Sequence, residues 1–141
     1  MRLPLAALLL AMAGPAAAET ATSDLTFTLE NVRSPSGKVV VALFDNEAAY
    51  RTKGQPVRTA TLPAVGEKVD IACSGLKPGS YAAVAFHDRN ADGKLGTLPI
   101  GLPTEPYAIS RDAPARFGPP TWRAAAFKLA PGVNHQKAKL R

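Results

Sequence analysis

The sequence contains a single cysteine, Cys73, so no disulfide can form within the chain. Val69, Ile71 and Cys73 alternate with other residues. This spacing predicts that Cys73 is a small buried side chain on one face of a strand, and a reactive or intermolecular thiol is the alternative. The chain has two histidines, His87 and His135, which lie far apart and form no zinc-binding motif. We expect His87 to be a strand-end side chain with an ordinary hydrogen bond.

The motifs of nucleophilic and zinc-dependent hydrolases are also missing. Neither G-x-S-x-G nor H-E-x-x-H occurs in the chain. A glycosidase needs two opposed carboxylates in a cleft, and nothing in the sequence specifies such a pair. We therefore expect a non-enzymatic protein. The alternative is a small periplasmic hydrolase that uses acidic residues around Asp88 and Glu105.

Long apolar runs are missing except near the N-terminus. There Arg2 precedes an apolar stretch over residues 3–12, which is followed by Pro15 and then by small residues. This pattern predicts that residues 1–18 are a secretory signal peptide without a cysteine for a lipid anchor. A membrane helix needs roughly 20 apolar residues, more than this stretch provides. We expect a periplasmic or secreted protein whose mature part, residues 19–141, is one domain that does not span a membrane.

Acidic residues are fewer than basic ones, with 11 Asp and Glu against 17 Lys and Arg. Loss of Arg2 with the signal peptide lowers the net charge from +6 to +5. The basic residues are scattered and are not interleaved with stacking aromatics, so we expect no nucleic-acid partner. The charge favours attraction to anionic envelope components. The expected protein is a monomer that binds an unknown ligand or envelope component.

Hydrophobic residues recur with a period close to two along most of the chain, which indicates strands. A short helical turn is predicted at Asp45–Tyr50, where an Asx cap precedes helix formers. Short strands separated by Gly- and Pro-rich turns are typical of an antiparallel β-sandwich. The seven predicted strands are Leu25–Val32, Lys38–Phe44, Val57–Leu62, Lys68–Cys73, Tyr81–His87, Trp122–Leu129 and Val133–Leu140.

A segment of more than 30 residues between His87 and Thr121, here called the excursion, shows little alternation. Segments of this length without strands of their own are usually functional or disordered. Apolar residues throughout the excursion favour an ordered segment packed over one end or face of the sandwich, before the last two strands. These apolar residues are Leu95, Leu98, Ile100, Leu102, Tyr107, Ile109 and Phe117. Trp122, just beyond it, is expected in the core, with an exposed stacking platform as the alternative.

The excursion begins with the run Asp88-Arg89-Asn90-Ala91-Asp92-Gly93-Lys94-Leu95. Three side chains with oxygen ligands at every second position, followed by a glycine, form the first half of a calcium loop. By this spacing the ligands are Asp88, Asn90, Asp92 and the backbone carbonyl of Lys94. Position twelve, which is normally a bidentate glutamate, is Pro99.

The missing twelfth ligand leaves two interpretations of this loop. Glu105 is the preferred residue to complete a calcium site and Asp45 is the second choice. Such a site would be structural and weak, with Kd on the order of 0.1–1 mM. The alternative is an Asx-rich turn in which Asp88, Asn90 and Asp92 accept from backbone amides without an ion.

Three segments resemble a known family, namely Phe86–Leu95, Gly101–Ser110 and Phe117–Leu129. In combination they are similar to the secreted bacterial family called domain of unknown function 2141. The resemblance implies a small exported β-sandwich of unsettled function, and it supplies no catalytic residues. A shorter phrase, Gly75–Val84, resembles a turn and strand of transthyretin-like and collagen-adhesin B-type modules. This second resemblance implies a transthyretin-like sandwich.

Overall fold

The computed structural model describes residues 14–16, 19–33, 35–96, 99, 102–116 and 118–141. Most of the predicted signal peptide lies outside these residues, as do three predicted anchors of the excursion, Leu98, Ile100 and Phe117. Within them, no helix has the length and apolar character that a membrane span requires.

Strands dominate the described residues, as the alternation predicted, and they form two sheets. The strands are β1 (Ser23–Glu30), β2 (Lys38–Phe44), β3 (Arg58–Pro63), β4 (Lys68–Leu76), β5 (Gly79–Asp88), β6 (Tyr107–Ile109), β7 (Phe127–Leu129) and β8 (Gly132–Lys139). The helices are α1 (Glu47–Thr52) and α2 (Trp122–Ala125), and a 3-10 turn spans Ser110–Asp112.

One sheet has the strand order β4-β1-β8, and the other has the order β3-β2-β5-β6 with β7 also paired to β5. The sandwich-like all-β architecture is therefore confirmed. One part of the expectation was wrong, because the pairing is not antiparallel throughout. Strand β8 runs parallel to β1 over the whole length of both strands. Strand β1 therefore lies between an antiparallel neighbour, β4, and a parallel neighbour, β8.

The main core lies between the two sheets and is built by alternation. On β2, Val39, Val41 and Leu43 belong to this core, and alternate residues of the other sheet, such as Phe27 on β1, also belong to it. Cys73 belongs to it as well, with 3 % of its surface exposed. The prediction of a small buried side chain at this position is thus confirmed. Burial raises the pKa of the Cys73 thiol, an effect that nearby Arg58 partly opposes.

A second cluster covers the outer face of the β2–β5 sheet. Phe44 and Ala82 lie on that face and contact residues of the two helices. The rings of Tyr50 and Trp122 meet edge to face, with centroids 5.8 Å apart. Trp122 is only partly buried, so it is neither a full core residue nor an isolated exposed platform.

The predicted strand Trp122–Leu129 was wrong over its first half. The side chain of Thr121 accepts from the backbone amide of Ala124 and caps α2, and β7 begins only at Phe127. A capped run of alanines favours helix more strongly than the weak alternation favours strand. The short helix at the predicted turn Asp45–Tyr50 is confirmed as α1, where Asn46 is the N-cap.

The excursion does contain a strand of its own, contrary to expectation. Strand β6 pairs with β5 through Val84–Phe86, so the described residues form eight strands where seven were predicted. Ser110 follows β6 and is fully buried. Its hydroxyl accepts from the amide of Ala83 at 2.9 Å and donates to the carbonyl of Ala125 at 2.6 Å. This serine therefore joins the excursion to both β5 and α2.

Gly37 allows the turn before β2 to approach the end of β5, and this predicts a measurable steric effect. Gly37 and Gly66 share a φ of +78°, but only at Gly37 would a Cβ overlap the backbone carbonyl of Asp88. We expect Gly66→Ala to lower the free energy of unfolding by about 1–2 kcal/mol through backbone strain. Gly37→Ala should cost about 2 kcal/mol more because of the overlap. Urea denaturation of the two variants measures the difference, and equal costs would contradict this account of the turn.

Candidate functional site

The side chain of Asp88 organises the acidic loop from the end of β5. It is 1 % exposed, and both of its carboxylate oxygens accept backbone amides of the loop. Oδ1 accepts from Asp92 at 3.2 Å and Oδ2 from Gly93 at 2.7 Å. A buried carboxylate is costly unless it is hydrogen-bonded. The loop therefore folds back onto the end of β5, where its amides supply the two bonds that Asp88 requires.

Glu105 holds the same loop from the other end of the connection between β5 and β6. Its Oε1 accepts from the amide of Arg89 and its Oε2 from the amide of Gly96, each at 3.1 Å. The amide of Thr104 donates to the carbonyl of Gly96 at 2.7 Å and closes a ring of backbone. We call the carboxylates of Asp88 and Glu105, together with the four amides that they accept from, the clasp.

The remaining predicted ligands take part in local turns. Asn90 Oδ1 accepts from the amide of Asp92 at 3.3 Å, and Asp92 Oδ1 accepts from the amide of Lys94 at 2.9 Å. Both side chains are exposed. These are the contacts of an Asx-rich turn, the second of the two interpretations of this loop.

Asp88 and Glu105 therefore lie at one loop, as the preferred calcium site required. In the structure, however, both carboxylates bind backbone amides of that loop. Among the described residues, no group of three His, Cys, Asp or Glu side chains is placed to hold a metal ion. The second choice for a closing ligand, Asp45, was wrong. Lys38 at the start of β2 pairs with Asp88, and Asp45 follows the far end of that strand, about 20 Å away.

His87 lies behind the clasp and is fully buried. Its Nε2 is 2.7 Å from the carbonyl oxygen of Ser36, which can only accept, so Nε2 carries the proton. The expected ordinary hydrogen bond is confirmed. Within the described part of the chain, Nδ1 is buried without a hydrogen-bond partner. The backbone amide of His87 donates to Pro106, which ties β5 to the far end of the clasped connection.

A cleft of about 190 Å³ opens beside the clasp, and sequence reasoning missed it. The residues that line it are Asn31, Arg33, Arg89, Pro106, Leu140 and Arg141. The signal available in the sequence was that Arg33, Arg89 and Arg141 each follow the end of a strand by one to three positions. Their convergence depends on which strands are parallel, and this was not predicted.

The groups with shifted pKa values lie away from this end of the sandwich. Burial raises the pKa of Tyr50, whose hydroxyl donates to the carbonyl of Pro120 at 2.8 Å. Burial and the charge of Asp45 raise the pKa of Tyr81, whose hydroxyl donates to Lys77. Both tyrosines are packing residues, because each hydroxyl is bound to a backbone carbonyl.

Comparison with known proteins gives one family match. The model of the bacterial family DUF2141, described as an uncharacterized protein conserved in bacteria, matches residues 27–137, which is most of the chain. The match includes β2 to β7 and both carboxylates of the clasp. No curated protein and no solved structure matches the chain.

The clasp predicts unequal costs for the two aspartates of the loop. Asp88→Ala removes two amide bonds to a buried carboxylate and should lower the free energy of unfolding by about 3 kcal/mol. Asp92→Ala removes the bond from the amide of Lys94 and a long bond of 3.4 Å from Asn90, both to an exposed side chain, and should cost about 1 kcal/mol or less. Urea denaturation of a chain that comprises residues 19–141 measures both. Equal costs would show that Asp88 does not organise the loop.

Calcium binding by the loop stays a prediction, since every carboxylate of the site already has amide donors. At a calcium concentration ten times Kd, binding should raise the melting temperature by about 5 °C relative to chelator. Asp92→Ala should abolish the rise, while Asp70→Ala, which changes an exposed aspartate on β4, should retain it. An unchanged melting temperature at several millimolar calcium would leave the ion-free turn as the description of the loop.

Proposed function

The chain belongs to the DUF2141 family, and we propose that it is an exported, non-enzymatic binding module built on a β-sandwich. The observation that carries the proposal is the clasp. Two carboxylates accept from four backbone amides and hold the start of the excursion against the end of β5. Fixing a loop in this way reduces the conformational entropy that it loses when a partner binds. The clasp thus acts as a support for a binding surface.

The use of these carboxylates also favours a binding module over a hydrolase. A general acid or base must reach a proton of the substrate. Asp88 is 1 % exposed, and both of its oxygens face backbone amides. Both carboxylate oxygens of Glu105 also accept from backbone amides. A hydrolase built on this pair would have to break the clasp in order to work.

The binding surface that we propose is the excursion and the end of the sandwich from which it starts. Part of the excursion is apolar and exposed, since Leu102 has 56 % of its surface accessible. The mature chain carries a net charge of +5, which attracts anionic components of a bacterial envelope. The predicted signal peptide, residues 1–18, would deliver the protein to that compartment.

Export and binding can be tested together with the full-length chain in a Gram-negative host. We expect the protein in the periplasmic extract with Glu19 as its first residue, and we expect the purified mature protein to co-sediment with isolated envelope. Glu105→Gln should lower the bound fraction severalfold, because an NH2 group replaces one of the two acceptor oxygens that hold the excursion. Glu47→Gln, an equal charge change on α1 at the other end of β2, should leave it unchanged.

Three results would contradict the proposal. They are retention of an unprocessed chain in the cytoplasm, equal binding by the Glu105→Gln and Glu47→Gln variants, and absence of co-sedimentation. The hydrolase alternative would be favoured if the mature protein cleaved ester, phosphate or glycoside substrates and Glu105→Gln abolished that cleavage.

A further inference from the structure

Three strands end at the same end of the sandwich, and each is followed by an arginine. Strands β1 and β8 are parallel and in register, so the residues after them, including Arg33 and Arg141, emerge side by side. Arg89 follows β5 in the other sheet. The two sheets are joined at this end by backbone hydrogen bonds between Tyr107, on the β6 neighbour of β5, and Arg141. The three arginines therefore line one cleft, here called the arginine cleft.

The arginines have no acidic partner within the described part of the chain. The ion pair found there joins Lys68 to Glu30, and no carboxylate lies within ion-pair distance of Arg33, Arg89 or Arg141. The nearby carboxylate of Glu105 accepts from the backbone amides of Arg89 and Gly96. Like charges gathered in this way repel one another, so an anion that enters the cleft gains from all three.

Two of the three side chains are held in place. Arg33 Nε donates to Asn31 Oδ1 at 2.9 Å, and Asn31 Nδ2 in turn donates to the carbonyl of Leu140 at 2.7 Å. Arg141 donates to the carbonyl of Ala113, and its guanidinium lies over the ring of Tyr107, 5.6 Å from the centroid. These contacts use some of the donors on each guanidinium and leave others free, since arginine has five.

Arg89 differs from the other two, because its backbone is fixed while its side chain is free. The clasp holds its amide against Glu105 Oε1. Among the described residues, its guanidinium forms no hydrogen bond or ion pair. Arg89 is thus an exposed side chain that lines the cleft, while the side chains of the other two arginines are already held in position.

We propose that the arginine cleft binds a phosphate group. The planar fork of arginine matches phosphate oxygens in pairs. A phosphate dianion offers more charge and more acceptor oxygens to three guanidinium groups than a single carboxylate does. The volume of about 190 Å³ admits a phosphate but is below the range of pockets that enclose drug-sized ligands. The inference rests on the proposed binding function and names the chemistry that the module recognises.

The test is a calorimetric titration of the mature protein with inorganic phosphate at fixed ionic strength. Arg33→Gln and Arg89→Gln should each weaken binding about tenfold, the effect of losing one charged hydrogen-bonding pair. Arg89→Lys, which retains the charge but loses the fork, should weaken it severalfold. Arg123→Gln removes the same charge from an exposed side chain on α2 and should leave affinity unchanged. Matching melting temperatures show that the variants are folded.

The source of the phosphate is distinguished by two further titrations. Binding of glycerol phosphate without binding to phosphatidylglycerol vesicles identifies a soluble phosphorylated ligand. Binding to these vesicles, but not to phosphatidylcholine vesicles, identifies a lipid headgroup, provided that Arg89→Gln weakens it more than Arg123→Gln does. Absence of binding in every titration, or equal losses in these two variants, overturns the arginine cleft as a phosphate site. The proposed binding function survives that result if envelope co-sedimentation still depends on Glu105.

Discussion

Strand β5 is the constraint on which the rest of this structure depends. It pairs with β2 along seven residues and also with β6 and β7, so it connects elements from both ends of the chain. Its last residue, Asp88, is the start of the clasp. The position of the clasp is therefore set by a buried strand and is not a property of the loop alone. Because a buried strand places its end residues accurately, two carboxylates are enough to support a long connection.

The sandwich could be predicted from the sequence because its signals are local. The continuous apolar run after Lys38 gave β2 with its observed bounds, and its two apolar faces contribute to two buried clusters. The predictions failed where two local signals compete, where a strand is very short, and where the pairing joins segments far apart in the sequence. At Trp122 a capped alanine run prevailed over alternation, and at β6 only three residues pair, too few for a period to be visible. The parallel pairing of β1 and β8 cannot be recognised from local sequence patterns, since it depends on how the two ends of the chain are arranged in the tertiary structure.

The sequence named the residues of the candidate site and left two interpretations of their chemistry open. The spacing of Asp88, Asn90 and Asp92 is shared by calcium loops and by amide-capped turns, and Gly93 suits both. Which of the two forms depends on where the closing acid points. Glu105 faces two backbone amides, and no residue type in the sequence reports that direction. The arginine cleft was hidden for a similar reason, because single arginines after strands are ordinary until three strand ends coincide.

The parallel pair β1–β8 has a consequence for how the protein acquires its structure. Asn31, which follows the first strand, bonds to Leu140 across 109 positions of sequence. Strand β1 therefore cannot complete its sheet until the last strand has been made and delivered. A chain that is threaded through a membrane from its N-terminus would remain open at this sheet until the end of transport. Contacts so distant in sequence also slow folding, which would leave such a chain more time for transport before the sandwich closes.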